Sequence, residues 1–557
     1  MALLRTACPL TSCLALVARQ RAIALPRAQR RWLLRQTRSL ATVAPHSHHQ
    51  VQRSKRFKEL NASDVEAFRS MLSKSDSSVL TTIEAKGGKT LTADELTPFN
   101  HDWMQKYKGD SKLVLKPRST EEVSKILAYC VKNKIAMVPQ GGNTGLVGGS
   151  VPIWDEVVIS LSGMDNIRHF DPISGVMTAD AGCILQVLDD RAAKEGFMMP
   201  LDLGAKGSCQ IGGNLATNAG GLRLLRYGNL HGSVLGLEVV LPDERGTVLK
   251  VGMGGLRKDN TGYDLKQLFI GSEGTLGLIT AVSILTPKRP ASVNVAMLAL
   301  SSYEAVQKVY IETRSHLAEI LSAFEFVDQE AFELVLSHTG TKRPFEGGKP
   351  DARQFYVLIE TSGSKKEHDD EKLTGLLEDL MEKEIIVDGV LAQDETQLQS
   401  LWSLRESIPE AAGKLGKTYK FDVSMPVSEM YGLVEATRQR FKDQGMADEI
   451  REVVGYGHIG DGNLHLNVVA KRFDQSIEDV LEPWVFEYVS QRNGSISAEH
   501  GLGQQKAPFV GYSQAPESIA TMRAIKALFD KQGLLQPSKY LPAADEGVEA
   551  SSEAFKQ

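Results

Sequence analysis

The sequence predicts an α+β fold in two successive units. Three observations carry this. From Lys112 onward, short apolar runs alternate with helically spaced segments that carry start and stop signals. Three glycine-rich segments sit between those elements, at 139–149, 207–221 and 270–280. Near Ala291 the pattern changes: Val293, Val295 and Met297 alternate as in a strand, and a helix follows from about Ser302 to Leu317, opening a second α+β unit.

The elements follow in order. Lys112-Leu-Val-Leu-Lys-Pro117 reads as a strand. Ser119 and Glu122 have capping-box spacing, and Val123, Ile126, Leu127, Cys130 and Val131 then recur as one helix face. A strand at 135–138 runs straight into Pro139-Gln-Gly-Gly-Asn-Thr-Gly-Leu-Val-Gly-Gly149, where amides freed of side chains can wrap a pyrophosphate. The glycine spacing is not GxGxxG, and a strand at 157–161 follows rather than a long helix, which counts against a nicotinamide Rossmann domain. Strands near 157–161 and 176–181 and a helix from about Ile184 to Lys194 come next. The other two glycine-rich segments mix small residues with Asn and Thr, suiting a planar ring system and a phosphate chain. In the second unit, further strands lie near 323–327 and 355–360.

A chain of 557 residues implies two or three domains. A net charge of -5 gives no reason to expect nucleic acid as a partner. The five cysteines are dispersed, with no CxxC and no haem motif, which fits a reducing compartment. No run is long and apolar enough to span a membrane. No Asp or Glu precedes Glu59, while arginines are spread from Arg5 to Arg38; this is the composition of a mitochondrial transit peptide. A secretory signal is the alternative, on the apolar run 14–18, but that run is short and arginines follow it.

The densest chemistry lies near the C-terminal end. Gly455-Tyr-Gly-His-Ile-Gly-Asp-Gly-Asn-Leu-His-Leu-Asn467 is followed by Ser497-Ala-Glu-His-Gly501. His458, His465 and Glu499 offer two imidazoles and a carboxylate, three ligands as in a catalytic zinc site, with His500 beside them. Residues 464–469 read as a strand that points His465 and Asn467 the same way. The turn Gly460-Asp-Gly462 can fold His458 back towards that face. A helix is expected from about Glu478 to Arg492, capped at Asn493-Gly494, and then a second strand carrying Glu499 and His500. The alternative is that these histidines are core or surface residues with satisfied hydrogen bonds.

Five stretches in this order, PQGGNTGLVGGS, GGNLATNAGG, IGSEGTLG, GYGHIGDGNLH and SAEHGLG, resemble the vanillyl-alcohol-oxidase (PCMH-type) FAD-binding superfamily with the FAD-oxidase C-terminal cap. Within it the chain is most similar to the mitochondrial D-2-hydroxyglutarate dehydrogenases, close to the FAD-linked D-lactate dehydrogenases. The resemblance implies a PCMH-type FAD-binding domain at 107–290 and a substrate and cap domain with the metal site at 291–510. A C-terminal segment at 511–545 would return to the flavin. A transit peptide is expected at 1–45, an N-terminal extension at 46–106 and a disordered tail at 546–557.

The resemblance further implies that Pro139, Gly141, Gly142, Asn143, Thr144, Gly145 and Leu146 wrap the FAD, with Gly212, Gly213, Asn214, Thr217, Asn218, Gly220, Gly221, Gly274 and Ile279 along it. Asn143 stands where some members tether the flavin through a histidine, so noncovalent FAD is expected. The ligands of a zinc ion would be His458, His465 and Glu499, the general base His500, and the substrate contacts Arg405, Lys420 and Asn467. Pro409 departs from the usual Thr, and Lys531 and Gln536 depart from an earlier Pro and an Asn. The expected reaction is oxidation of D-2-hydroxyglutarate to 2-oxoglutarate, with D-lactate oxidation as the alternative. Hydride would go to flavin N5, and electrons would pass to an external acceptor, electron-transfer flavoprotein or cytochrome c, in the mitochondrial matrix.

Overall fold

Strand pairing sorts the chain into three sheets, here in a computed structural model that describes residues 52–345 and 353–542. The transit-peptide and tail expectations lie outside these residues. Everything below belongs to the unit that begins at Lys55.

The first sheet has four strands in the order Val79–Thr81, Leu113–Leu115, Val157–Ser160, Met137–Gln140. The first pair is antiparallel and the rest parallel. The helix Thr120–Asn133 makes the crossover between Leu113–Leu115 and Met137–Gln140. Ser119 starts it by accepting the Glu122 N–H, and Lys134 ends it in the left-handed region at φ 57°. The Glu122 carboxylate caps other amides, those of Arg118 and Ser73. Residues before the glycine loops are built into this half: Phe57, Val65, Phe68 and Val79 share a core with Leu113, Ile126 and Ile159. A five-stranded antiparallel sheet completes it, in the order Ile167–Phe170, Val176–Asp180, Leu278–Leu285, Val234–Val240, Val248–Val251. Leu534 and Leu535 return to the same core, and Met137 N–H donates to the Leu534 carbonyl.

The second half is a seven-stranded antiparallel sheet. Its order is Asp388–Leu391, Ser292–Leu300, Phe355–Gly363, Leu321–Asp328, Ile450–His458, Asn463–Ala470, Lys417–Ser424. Both faces are buried, so the strands are apolar on both sides. One face, with Phe324, Phe326, Val357 and Leu466, lies under the helices Tyr303–Leu317, Lys366–Glu382 and Met430–Asp443. The other, with Val327, Tyr356, Val454 and Tyr456, lies under Gln329–Thr339, Glu395–Glu406 and Ile408–Leu415.

Two expectations are corrected here. The helix expected from 478 to 492 is two, Gln475–Leu481 and Trp484–Ser490, broken at Pro483. Proline has no N–H for the ladder, and it turns the residue before it away from helical backbone. The strand expected to carry Glu499 and His500 is an irregular loop, whose approach pairs with the sheet only at Ser495 against Ser424.

Candidate active site

The second face of the seven-stranded sheet turns polar towards its edge. Alternation along the strands puts Glu325, His458, Tyr456, His465, Asn467, Asp422 and Lys420 on one side. His458 ends its strand opposite Glu325, and His465 lies across from both Tyr456 and Asp422. The hairpin turn at 459–462 returns the chain in register, so that the two imidazoles meet edge to face at 5.3 Å. Glu499 arrives from the loop, with an oxygen 3.8 Å from His458 Nε2. Ligand atoms of His458, His465 and Glu499 all lie within 4.8 Å of one another. The three expected ligands are thus brought together, and they fit a divalent ion: two imidazole nitrogens and one carboxylate, each able to turn one atom to the same point.

Their surroundings hold them. The Glu325 carboxylate sits 2.7 Å from His458 Nδ1, which leaves Nε2 for a metal. A carboxylate behind a ligating imidazole fixes its ring and raises its basicity. Burial opposes charge on His458, but Glu325 outweighs it and lifts the imidazole to about 9. Burial, reinforced by cationic His458, pushes His465 well below the usual imidazole range. Asp422 is buried too, yet His500, Lys506, His465 and amide donors outweigh that and hold its carboxyl well below the usual carboxylate range. The sequence reading gave Glu325 and Asp422 no role. Asp422 had a signal, since it sits two residues from Lys420 on the same strand face; Glu325 had none.

His500 stacks on His465 at 6.1 Å, and its Nδ1 lies 3.6 Å from Asp422 Oδ2. Asn467 donates to the Tyr456 hydroxyl. Arg405 is buried, bonds Glu325 through Nε at 3.0 Å, lies over the Tyr456 ring and comes within 3.5 Å of His458 Nε2. Lys420 stands apart from that group. It lines a second pocket with Lys106, Thr418, Lys506 and His500, its ammonium 5.5 Å from the Trp103 ring, and burial lowers its pKa.

An open cleft runs between the glycine-rich segments. Pro139, Gly141, Gly142, Asn143, Thr144, Gly145, Gly212, Gly213, Asn214, Thr217, Gly274 and Ile279 line it, as does His500. Leu146 lines the second pocket instead. Asn218, Gly220 and Gly221 are not in the cleft lining. The Gly221 N–H donates to Glu499, and Gly220 lies against the same carboxylate. Gln210 also lines the cleft, and its Oε1 and Asn214 Oδ1 are buried without a hydrogen-bond partner. Donors on a bound ligand would satisfy such buried acceptors. A Cβ added at Gly145 or Gly213 would meet nothing within 4 Å, so the cleft wall there is open backbone. These features fit a large cofactor with polar ring edges and a phosphate chain.

Gly142→Ala is expected to cost about 1–3 kcal/mol of stability, because its Cβ would lie 2.1 Å from the Ser208 carbonyl oxygen. Gly145→Ala, by contrast, is expected to leave the unliganded melting temperature unchanged but reduce FAD retention. Thermal melts and flavin content of the two variants check the pair.

The comparisons agree with this geometry. Residues 111–252 match the family described as FAD binding domain, and residues 289–540 match FAD linked oxidases, C-terminal domain. The chain belongs to the FAD-linked oxidase family and is an FAD-dependent oxidoreductase. It is 54% identical to a putative mitochondrial D-lactate dehydrogenase of Schizosaccharomyces pombe, over 89% of this chain and 93% of that one. It is 51% identical to the mitochondrial D-2-hydroxyglutarate dehydrogenase of Bos taurus, over 82% and 81%. Among solved structures it is similar to p-cresol methylhydroxylase with substrate bound, at TM-score 0.66 and 17% identity over 86% and 96% of the two chains, which supports the PCMH-type fold. Among the described residues, no helix is long and apolar enough to cross a membrane.

Proposed function

We propose that the protein oxidises D-2-hydroxyglutarate to 2-oxoglutarate in the mitochondrial matrix, with noncovalent FAD and a zinc ion at His458, His465 and Glu499. One observation carries the reading most strongly. Among the described residues, His500 is the one titratable side chain lining both the glycine-rich cleft and the pocket that holds Lys420. When bound, FAD supplies a two-electron acceptor, and the metal supplies a Lewis acid that makes a hydroxyl easier to deprotonate. The residues do the rest. His500 takes the proton of the substrate hydroxyl. Lys420 and Arg405 bind carboxylates by charge-assisted hydrogen bonds. Asn467, on the same sheet face, orients the substrate between them. An anion also suits the pocket: Lys420, Lys106 and Lys506 line it against one carboxylate, Glu482, although Lys106 pairs with Glu478 and Lys506 donates to the Asp422 carbonyl. The Asn143 side chain bonds the His101 carbonyl and Ser150, which supports a structural role there and noncovalent flavin. Electrons leave to an external acceptor, electron-transfer flavoprotein or cytochrome c. Relatives named mitochondrial support the location.

A second reading, D-lactate oxidation, is favoured by Pro409, which offers no hydroxyl, and by the name of the S. pombe relative. Anaerobic addition of each acid, read as bleaching of the oxidised-flavin band, separates the two. D-2-hydroxyglutarate is expected to bleach the flavin faster than D-lactate, and neither L-isomer to bleach it. The reverse order moves the substrate to D-lactate. Pro409 sits half-buried at the start of the helix Ile408–Leu415. Pro409→Thr is expected to raise the preference for D-2-hydroxyglutarate by about tenfold, the worth of one hydrogen bond to a charged group.

A further inference from the structure

The segment from Ala498 to Gly503 carries Glu499 and His500, yet no helix or strand holds it. Backbone amides in such a segment need acceptors. Two side chains take four of them. Asp422 Oδ2 accepts the Glu499 amide at 2.8 Å and the His500 amide at 2.9 Å. Glu273 Oε1 accepts the Leu502 amide at 2.6 Å, and its Oε2 accepts the Gly503 amide at 2.8 Å. The two carboxylates come from different halves of the molecule. Asp422 lies on the seven-stranded sheet, while Glu273 belongs to a glycine-rich segment and lines the flavin cleft. Both are buried, at 1% and 8% exposure.

Each carboxylate is itself anchored. Asn463 donates to Asp422 Oδ1 at 2.9 Å. The Glu273 backbone donates to the Ala216 carbonyl and accepts from the Gln536 side chain. Between the two pairs the chain turns at Gly501, whose φ is +80° and whose added Cβ would lie 2.6 Å from Glu273 Oε1. Only glycine allows both the turn and the close approach.

We propose that Asp422 and Glu273 are positioning residues for the reaction: together they form a cradle from both halves of the molecule that sets Glu499 and His500 against the flavin cleft. The proposal rests on His500 as the base and Glu499 as a metal ligand. The consequence is kinetic. A displacement of about 1 Å at the reacting groups is enough to cost about 10²-fold in rate. A loop gripped from both sides is held within that tolerance, and a loop gripped from one side is not.

Amide hydrogen exchange of the full FAD-loaded chain, read on peptides spanning 498–504, tests the cradle without any variant. Slow exchange, comparable with the flanking strands, is expected. Exchange as fast as an open loop would overturn it. Glu273→Gln, Asp422→Asn and Asp422→Ala then test the consequence. Asn463 Oδ1 has no partner, so in Asp422→Asn the Asn463 amide can turn and accept from the new side chain, which preserves the fold. Glu273→Gln can accept only one of its two amides and is expected to lose about 10²-fold in kcat, with KM changed by less than about threefold and faster exchange at Leu502 and Gly503. Asp422→Asn still presents one oxygen to both loop amides and is expected to keep most of kcat, whereas Asp422→Ala removes that acceptor and is expected to lose about 10²-fold, with faster exchange at Glu499 and His500. Retention of kcat within about twofold in both Glu273→Gln and Asp422→Ala would also overturn the proposal. If the unmodified protein oxidises no 2-hydroxy acid, the reading of His500 falls, and the exchange result still decides whether the cradle exists.

Discussion

Replacing His500 with asparagine is expected to slow flavin reduction by D-2-hydroxyglutarate by about 10²–10⁴-fold, the range that a positioned general base contributes. FAD content and substrate affinity should stay near those of the unmodified protein. A base must reach the hydroxyl proton of a substrate lying against the cofactor, so it must border both spaces. His500 lines the glycine-rich cleft and the Lys420 pocket. Its Nδ1 faces Asp422 Oδ2 at 3.6 Å, which leaves Nε2 as the nitrogen available to the substrate. Other titratable groups nearby are committed elsewhere. Lys506 is buried and donates to the Asp422 carbonyl, and Tyr456 is buried under Arg405 and accepts from Asn467. Asparagine preserves volume and can still hydrogen-bond but takes up no proton, so the change isolates proton transfer. Stopped-flow absorbance of the flavin gives the rate directly. A variant that reduces its flavin at the original rate would remove His500 from the proton-transfer role.

Much of this site was legible in the sequence because its chemistry is concentrated in short stretches. His458 and His465 are separated by one hairpin turn, and strand alternation alone puts His465 and Asn467 on one face. The groups that hold the ligands were not legible. Glu325 is one of two acidic residues, with Asp328, in a mainly apolar strand, and it lies 133 positions from the histidine it bonds. Glu273 is 229 positions from the Leu502 amide. Such partners are set by sheet order and by the packing of the two halves, which local patterns do not encode. Pro483 was a readable signal, since apolar periodicity runs through it although a helix cannot. The loop at Glu499 misled for a different reason. Ser495 to Ala498 has the composition of a strand, but Gly501 and Gly503 turn the chain, and buried carboxylates replace ladder partners.

Chelation is expected to lower flavin reduction by more than about 10³-fold, as is replacing His465 with alanine, because the proposed ion would supply several kcal/mol of charge stabilisation. Added zinc should restore the chelated protein and fail to restore the variant. Two trios of ligand atoms could hold an ion here, and they share His465: His458–His465–Glu499 and Asp422–His465–His500. The hydrogen bonds favour the first. Asp422 already accepts the amides of Glu499 and His500 and the side chain of Asn463, so coordination by Asp422 would compete with the contacts that hold the loop. In the first trio, Glu499 accepts one amide, from Gly221, and keeps its second oxygen free of protein donors among the described residues. His458 is also backed by Glu325. Glu499→Ala should therefore release the metal, measured as bound zinc per flavin after dialysis, and retention of a full equivalent would move the ion to the second trio. Glu325→Gln should weaken metal binding by about 10–100-fold without abolishing it. Its amide keeps one hydrogen bond but leaves the buried Arg405 without a charge partner, so a lower melting temperature should accompany the loss. A fall in metal affinity without a lower melting temperature would show that Arg405 does not depend on Glu325 as its charge partner.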